Sequence, residues 1–264
     1  MSGQVEPATT RKRRPPPKLV RVEAIERVTP ALLRITFGGP ELFGFTPPRA
    51  AAHIKLFFPP SEMVWPPRDA DAPRAPSRTY TPRRFDVQRG LLDVEIVLHG
   101  EGLASSWAEN AQVGDEMTIG GPGGGYEVPE GTKRLIIMAD ESALPAAGMI
   151  LEALRAECKI DVIAEISNRA EERELSPVAP CQPVWLHRSD IDQPGAALGE
   201  ALNLISSPDE NTSWWIACEA AAMRKIRQQV ALKFGVPKAR LHTRGYWKKG
   251  ASNHPDHDYG DDAG

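Results

Sequence analysis

Ser77-Arg78-Thr79-Tyr80-Thr81-Pro82 places a cation, an aromatic ring and threonine hydroxyls on consecutive residues ahead of a proline. Alternate side chains of a strand share a face, so Arg78 and Tyr80 point one way and Thr79 and Thr81 the other, unless Pro82 bends the chain. A guanidinium offers a planar fork to a pyrophosphate, a tyrosine offers a stacking face, and a threonine hydroxyl can donate to or accept from a ring nitrogen. A flat, phosphate-bearing ligand such as a flavin dinucleotide needs all three. Taken alone, the segment reads at least as well as an ordinary surface strand with a half-buried tyrosine, so the flanking sequence decides.

On both sides of it, short β-rich runs alternate with turns, at residues 20–28, 31–37, 53–58, 91–98 and 116–119. Without long helical stretches between them, these predict an antiparallel sandwich or barrel. Residues 59–76, with six prolines and Trp65, form a long, stiffened loop of the kind that borders binding sites. In 53–58, Ile54, Leu56 and Phe58 share one face, so Lys55 projects from the other, first of all as a solvated lysine. His99-Gly100-Glu101-Gly102 then leads into a predicted helix over 104–111. Its first N–H groups make an anion site, or the segment is a plain strand-to-helix connection. His99 is either a ligand contact or a hydrogen-bonded structural histidine. Gly120-Gly121-Pro122-Gly123-Gly124-Gly125 reads as the boundary between two domains and matches neither a Rossmann fingerprint nor a Walker loop.

After Thr132 the pattern changes to alternating strands and helices. Strands are predicted at 134–139, 160–166, 184–187 and 214–218, and helices at 196–205 and 220–234, the latter with Met223, Ile226 and Val230 inward. A further helix starts at Ser142 as N-cap, with Pro145 in its first turn and Ala147, Ile150, Leu151 and Leu154 on one face. Such a parallel sheet binds ligands at the carboxyl ends of its strands. Asp140-Glu141-Ser142 and Cys218-Glu219-Ala220 occupy two of those ends, as contacts to a nicotinamide nucleotide or as ordinary caps.

The 264 residues, 41% of them hydrophobic, suffice for two domains, here 18–127 and 128–250. They lie between a basic, proline-rich arm (1–17) and an acidic tail (251–264), both expected to be disordered. A net charge of −3 gives no reason to expect nucleic-acid or membrane binding. Cys158, Cys181 and Cys218 are odd in number and far apart, as reduced cytoplasmic thiols would be. No apolar run reaches the length of a membrane span and no signal peptide is evident, so the expected location is cytoplasmic.

Taken in order, Arg78-x-Tyr80-Thr81, His99-Gly100-x-Gly102 with Trp107, Gly121-Pro122-x-Gly124, Ala139-Asp140-Glu141-Ser142-Ala143-Leu144-Pro145-Ala146 and Gly245-Tyr246-Trp247 resemble the siderophore-interacting proteins, ferric-siderophore or ferric-chelate reductases of the ferredoxin-reductase-like flavoproteins. The resemblance covers about residues 18–250. It implies a Greek-key FAD barrel followed by a nicotinamide-binding α/β domain. It also implies that Arg78 binds the flavin pyrophosphate, Tyr80 packs on the isoalloxazine and Thr81 bonds near its reactive nitrogen. Thr79, His99, Gly102, Ala104, Ser105, Ser106 and Trp107 complete the cofactor set, with the 102–106 turn on phosphate. Lys55, Lys248 and Lys249 match positions associated with an anionic ferric chelate. The implied electron donor is NADPH, NADH or ferredoxin, with no protein metal site. Cys218 stands where the family has glycine, so its side chain is expected to crowd a nucleotide at that strand end. A general NAD(P)H:flavin oxidoreductase and a non-catalytic siderophore or flavin carrier are the alternatives.

Overall fold

The computed structural model describes residues 16–60, 63, 75–100, 102–154, 157–178, 181–189, 193–206 and 208–254. Most of the basic arm, of the 59–76 loop and of the acidic tail falls outside these residues, as does Glu101.

The first sheet contains β1 (Lys18–Thr29), β2 (Leu32–Gly38), β3 (Ala52–Phe57), β4 (Ser77–Tyr80), β5 (Pro82–Asp86), β6 (Leu91–Val97) and β7 (Glu116–Gly124). Its order is β4-β3-β7-β1-β2-β6-β5, and every pairing is antiparallel. The two outermost strands are consecutive in the chain, with only Thr81 between them. One residue cannot span an open seven-stranded sheet, whose strands lie about 4.8 Å apart, so the sheet must curl until its edges meet at Thr81. The antiparallel sandwich or barrel expected from the strand spacing is therefore a barrel, closed at the motif itself.

Val22, Ile35, Phe37, Ile54, Leu56, Val94 and Ile119 fill the interior. The helix α1 (Leu103–Asn110) packs Ala104 and Ala108 against this core. Strand β5 was not among the predicted strands, because Pro82-Arg83-Arg84-Phe85-Asp86 carries almost no apolar period. The glycine run also differs from expectation: residues 120–124 continue β7 and pair with β3. Their missing side chains make room for the outward rings of β3. A Cβ at Gly120 would approach Phe57 to 3.0 Å, and one at Gly124 would approach His53 to 2.9 Å.

The second sheet is parallel, with order β10-β9-β8-β11-β12 for β8 (Arg134–Asp140), β9 (Lys159–Ile166), β10 (Val184–His187), β11 (Thr212–Glu219) and β12 (Leu241–Trp247). Strand order reverses between β8 and β11, the position where α/β sheets bind ligands. The helix α2 (Leu144–Ala153) covers one face, and α3 (Ala196–Ala201) and α4 (Ala220–Phe234) cover the other. Central β11 is buried on both sides: Trp215 and Ala217 face the α2 layer, while Trp214, Ile216 and Cys218 face the α3–α4 layer.

Three local expectations are corrected. Ser142 does not cap α2; Ala143 holds that position, and the Ser142 hydroxyl donates to Asp140 instead. Helix α3 stops at Ala201 rather than 205, because the next amides bond three residues back and Lys233 Nζ donates to the Leu202 carbonyl at 3.1 Å. Strand β12 was not predicted either, since its seven residues include a histidine, an arginine and a glycine.

The two sheets are joined by specific polar contacts. Glu171, buried, accepts from the Thr29 hydroxyl and from the Ala31 amide at 3.0 Å, both at the β1–β2 turn. Arg83 of β5 donates to Glu152 of α2 and to the Leu175 carbonyl, each at 2.8 Å. Replacing Glu171 by alanine removes the acceptor from one buried and one half-buried donor, and the expected cost is about 2–3 kcal/mol in urea unfolding. A loss below half a kcal/mol would show that this contact does not hold the two sheets together.

Candidate functional site

Arg78 and Tyr80 sit opposite Leu56 and Ile54 across the β3–β4 ladder, so they share the inward face, and Tyr80 packs on the barrel core. Burial raises the Tyr80 phenol above its ordinary value, against the opposing pull of the Arg78 charge, so it stays protonated. Arg78 donates Nη1 to its neighbour's carbonyl, Ser77 O, at 2.9 Å. Among the described residues it has no carboxylate partner. Thr79 lies on the other face, opposite Lys55.

Helix α1 begins without a side-chain cap. Gly102 holds the N-cap at φ +155°, and a Cβ there would come within 2.8 Å of the His99 ring. The turn therefore leaves its first backbone amides uncovered, the arrangement an anion needs. Ser106 and His99 are exposed, while Ala104 and Ser105 are buried, the latter accepting from the His99 amide at 3.3 Å. Trp107 stacks on Phe37 at 6.2 Å between centroids and meets Phe58 edge-on at 5.8 Å. The side chains of Ala104 and Trp107 thus pack on the barrel core, and that of Ser105 is buried in the turn. Backbone amides remain as the donors of this turn. A guanidinium without a carboxylate partner, an uncovered helix start and a buried tyrosine ring form a donor set that fits the pyrophosphate and ring system of FAD.

At the carboxyl ends of the parallel sheet, Asp140 has no exposed surface and accepts four hydrogen bonds. Oδ1 takes the Ser142 amide at 3.1 Å and the Ser142 hydroxyl; Oδ2 takes the Glu219 amide at 2.9 Å and Trp247 Nε1 at 2.8 Å. Burial, and then the neighbouring Glu141 charge, raise its pKa to about 7, although the donors pull the other way. Glu219 caps α4 through Oε2, to the Ala221 and Ala222 amides at 2.7 and 2.9 Å, and its Oε1 accepts the Lys249 amide at 3.2 Å. Two buried carboxylates therefore tie the segment after β12 to the ends of β8 and β11. Exposed Lys248 and Lys249 ride on that segment.

Cys218 is fully buried in the α3–α4 layer, and burial raises its thiol pKa. The expectation that its side chain crowds a nucleotide is overturned: strand alternation turns residues 214, 216 and 218 toward the helices and away from the strand end. The side chains of Asp140 and Cys218 present no surface to a nicotinamide, which corrects their expected contact. Glu141 remains half-buried, paired with Arg188, which also reaches Glu165 at 3.3 Å.

The two halves meet beside these groups. The Thr81 hydroxyl lies beside the Tyr246 phenol, and Arg244 Nη2 lies 3.3 Å from His53 Nδ1. His53 shares the outward face of β3 with Lys55, and Arg244 is four residues before Lys248. All three expected lysines are thus carried by elements that touch at one junction. His53 and Arg244 were not among the expected site residues, because partners 191 positions apart leave no local signal. The charge distribution was legible: residues 220–254 hold nine Lys or Arg and no Asp or Glu, in a chain of net −3.

Residues 21–126 match the siderophore-interacting FAD-binding domain, and residues 132–250 match the siderophore-interacting protein family. The chain is 29% identical over 258 residues to a ferric vibriobactin reductase of Vibrio cholerae, covering 92% of this chain and 93% of that one. It is 29% identical over 238 residues to an NADPH-dependent ferric-chelate reductase of Escherichia coli, covering 84% and 89%. A siderophore utilization protein from T. fusca superposes with a TM-score of 0.80 at 33% identity, over 93% of this chain and 98% of that one. No helix among the described residues is long and apolar enough to cross a membrane. With the antiparallel barrel, the parallel sheet and both family matches covering the same stretch of sequence, the chain belongs to the siderophore-interacting protein family.

Proposed function

We propose that the protein is an FAD-dependent ferric-siderophore reductase that takes electrons from NADPH, NADH or ferredoxin and delivers them singly to chelated Fe(III), releasing Fe(II). The observation that carries this reading is the contact of Arg244 Nη2 with His53 Nδ1 at 3.3 Å. It joins the strand that bears Lys55 to the strand that leads into Lys248 and Lys249.

When bound, FAD supplies the exchange between two-electron and one-electron chemistry. Arg78 would hold its pyrophosphate, and the amides of the 102–106 turn would offer donors to phosphate. Tyr80 would pack on the ring system, and Thr81 would offer its hydroxyl to it. Glu141, Ser142 and the backbone of Glu219 line the strand ends where a nicotinamide donor enters. The description of the E. coli relative as NADPH-dependent supports NADPH as the first donor to test. Lys55, Lys248 and Lys249 attract an anionic chelate and contribute a salt-dependent on-rate. Fe(II) binds hard oxygen ligands less strongly than Fe(III), so reduction releases the metal without any protein acid, base or metal ligand.

An anaerobic absorbance experiment tests the reading. Purified protein is loaded with FAD and reduced, and a ferric siderophore is added with an Fe(II) trap present. Reoxidation with trapped Fe(II) is expected. Protein that refuses FAD removes the reading, and binding without reoxidation by any ferric chelate leaves a carrier. Turnover of ferricyanide as efficient as that of chelates leaves a general oxidoreductase. Lys55→Ala with Lys248→Ala is expected to raise the chelate KM about three- to tenfold and to flatten its salt dependence. An unchanged KM would remove the lysines' role.

A further inference from the structure

Beyond Lys248 and Lys249 the structure opens a cleft of about 540 Å³ between α3 and α4. It exists because both helices present small residues there. Gly195, the N-cap of α3, packs so closely on Ala222 of α4 that a Cβ would lie 2.2 Å from the alanine methyl, so the two elements touch at this end. The floor is apolar, with Gly199, Ala222 and buried Ile226. Three amides, Gln193, Asn203 and Gln229, stand along the walls.

The rim is cationic. Lys248 and Lys249 stand at one side and Lys225, from the second turn of α4, at another. Lys249 donates to Gln193 Oε1 at 3.2 Å. Lys225 and Lys248 have no side-chain hydrogen bond or ion pair among the described residues. Two acids line the cleft. Glu219 is committed through both oxygens to the backbone, and Glu200 is exposed on α3. Nothing in the acid-free stretch 220–254 offsets Lys225.

An apolar floor, amide walls and a cationic rim suit an elongated ligand with amide bonds and terminal anionic groups. A compact, highly hydrated anion would use the rim alone. We propose that the α3–α4 cleft binds an amide-linked, anionic arm of the ferric chelate, whose iron centre stays at the Lys248–Lys249 mouth, and that Lys225 reads the charge at the end of that arm. This rests on the reductase reading above and names its substrate class: chelates with amide-linked acidic arms, in preference to compact ferric complexes.

Two substitutions outside the cofactor-binding set test this. Gly199 has a helical backbone, and the nearest atom to a Cβ built there is Gln229 Oε1, at 3.7 Å. Gly199→Leu therefore directs a bulky side chain into the cleft from an uncrowded Cβ position, and removing a mid-helix glycine favours folding. Lys225→Glu reverses the rim charge. Holoenzyme turnover is measured with the ferric complex of 2,3-dihydroxybenzoylserine, which carries amide-linked carboxylates, and with ferric citrate as the compact chelate. Each variant is expected to raise KM for the first about tenfold and to leave ferric citrate within about twofold. Equal KM for the armed chelate in wild type and both variants overturns the proposal, as does a rise for both chelates alike. A rise in the KM of NADPH instead assigns the cleft to the electron donor and also overturns it. If wild-type holoenzyme reduces neither chelate, the reductase reading itself has failed, a result distinct from all of these.

Discussion

Replacing Arg78 with alanine is expected to weaken FAD binding about 100-fold, with thermal stability nearly unchanged. The guanidinium is the one cation of the β4 motif, and its bond within the protein is to the adjacent Ser77 carbonyl. Folding therefore loses little when it goes, whereas a pyrophosphate loses a charge-assisted, two-point contact. Arg78→Lys should recover only part of the loss, since an ammonium lacks the planar fork. Titration of apoprotein with FAD, followed by flavin fluorescence, measures both variants. Wild-type affinity in Arg78→Ala would detach the motif from the cofactor.

Asp140→Ala is expected to cost about 3–4 kcal/mol in urea unfolding, close to the upper end for a single substitution. Four donors, two from Ser142 just after β8 and one each from β11 and β12, converge on this buried carboxylate, and alanine leaves all of them without it. Asp140→Asn adds a pH signature. A carboxyl titrates near 3.8 in the unfolded chain and at about 7 here, so between those values the native state holds a proton that the unfolded state has lost. The contribution of Asp140 to stability thus falls as pH rises through that window and is level above it. The asparagine variant should lack that slope. Identical pH profiles for wild type and Asp140→Asn would show that the carboxyl does not titrate in this range.

Much of the architecture could be read from local pattern. Alternation in 53–58 placed Ile54 and Leu56 inside and Lys55 outside, and the apolar runs at 134–139 and 214–218 marked buried parallel strands. Helix α4 was readable at both ends, since Glu219 caps it and Gly235 ends it in a left-handed turn at φ 63°. Strands β5 and β12 escaped because their pairing partners, rather than their own hydrophobic period, make them strands. Asp140 and Glu219 were recognised as strand-end residues. That their carboxylates are turned inward to hold backbone amides and Trp247 depends on which strand ends lie side by side.

The order of strand-forming runs, followed by alternating strands and helices, is by itself enough to set an antiparallel sandwich or barrel ahead of a parallel sheet. The residues from Arg78 to Thr81 show a cation, a ring and hydroxyls on neighbouring positions, which taken alone read equally as a surface strand; only the motifs elsewhere in the chain point that strand to a flavin. Only the tertiary structure decided that Thr81 closes the barrel, that it meets Tyr246, that His53 meets Arg244, and that Cys218 faces the helices and leaves the strand end clear. Each of these depends on contacts between residues distant in sequence, or on which layer a strand face meets, and no local propensity encodes them.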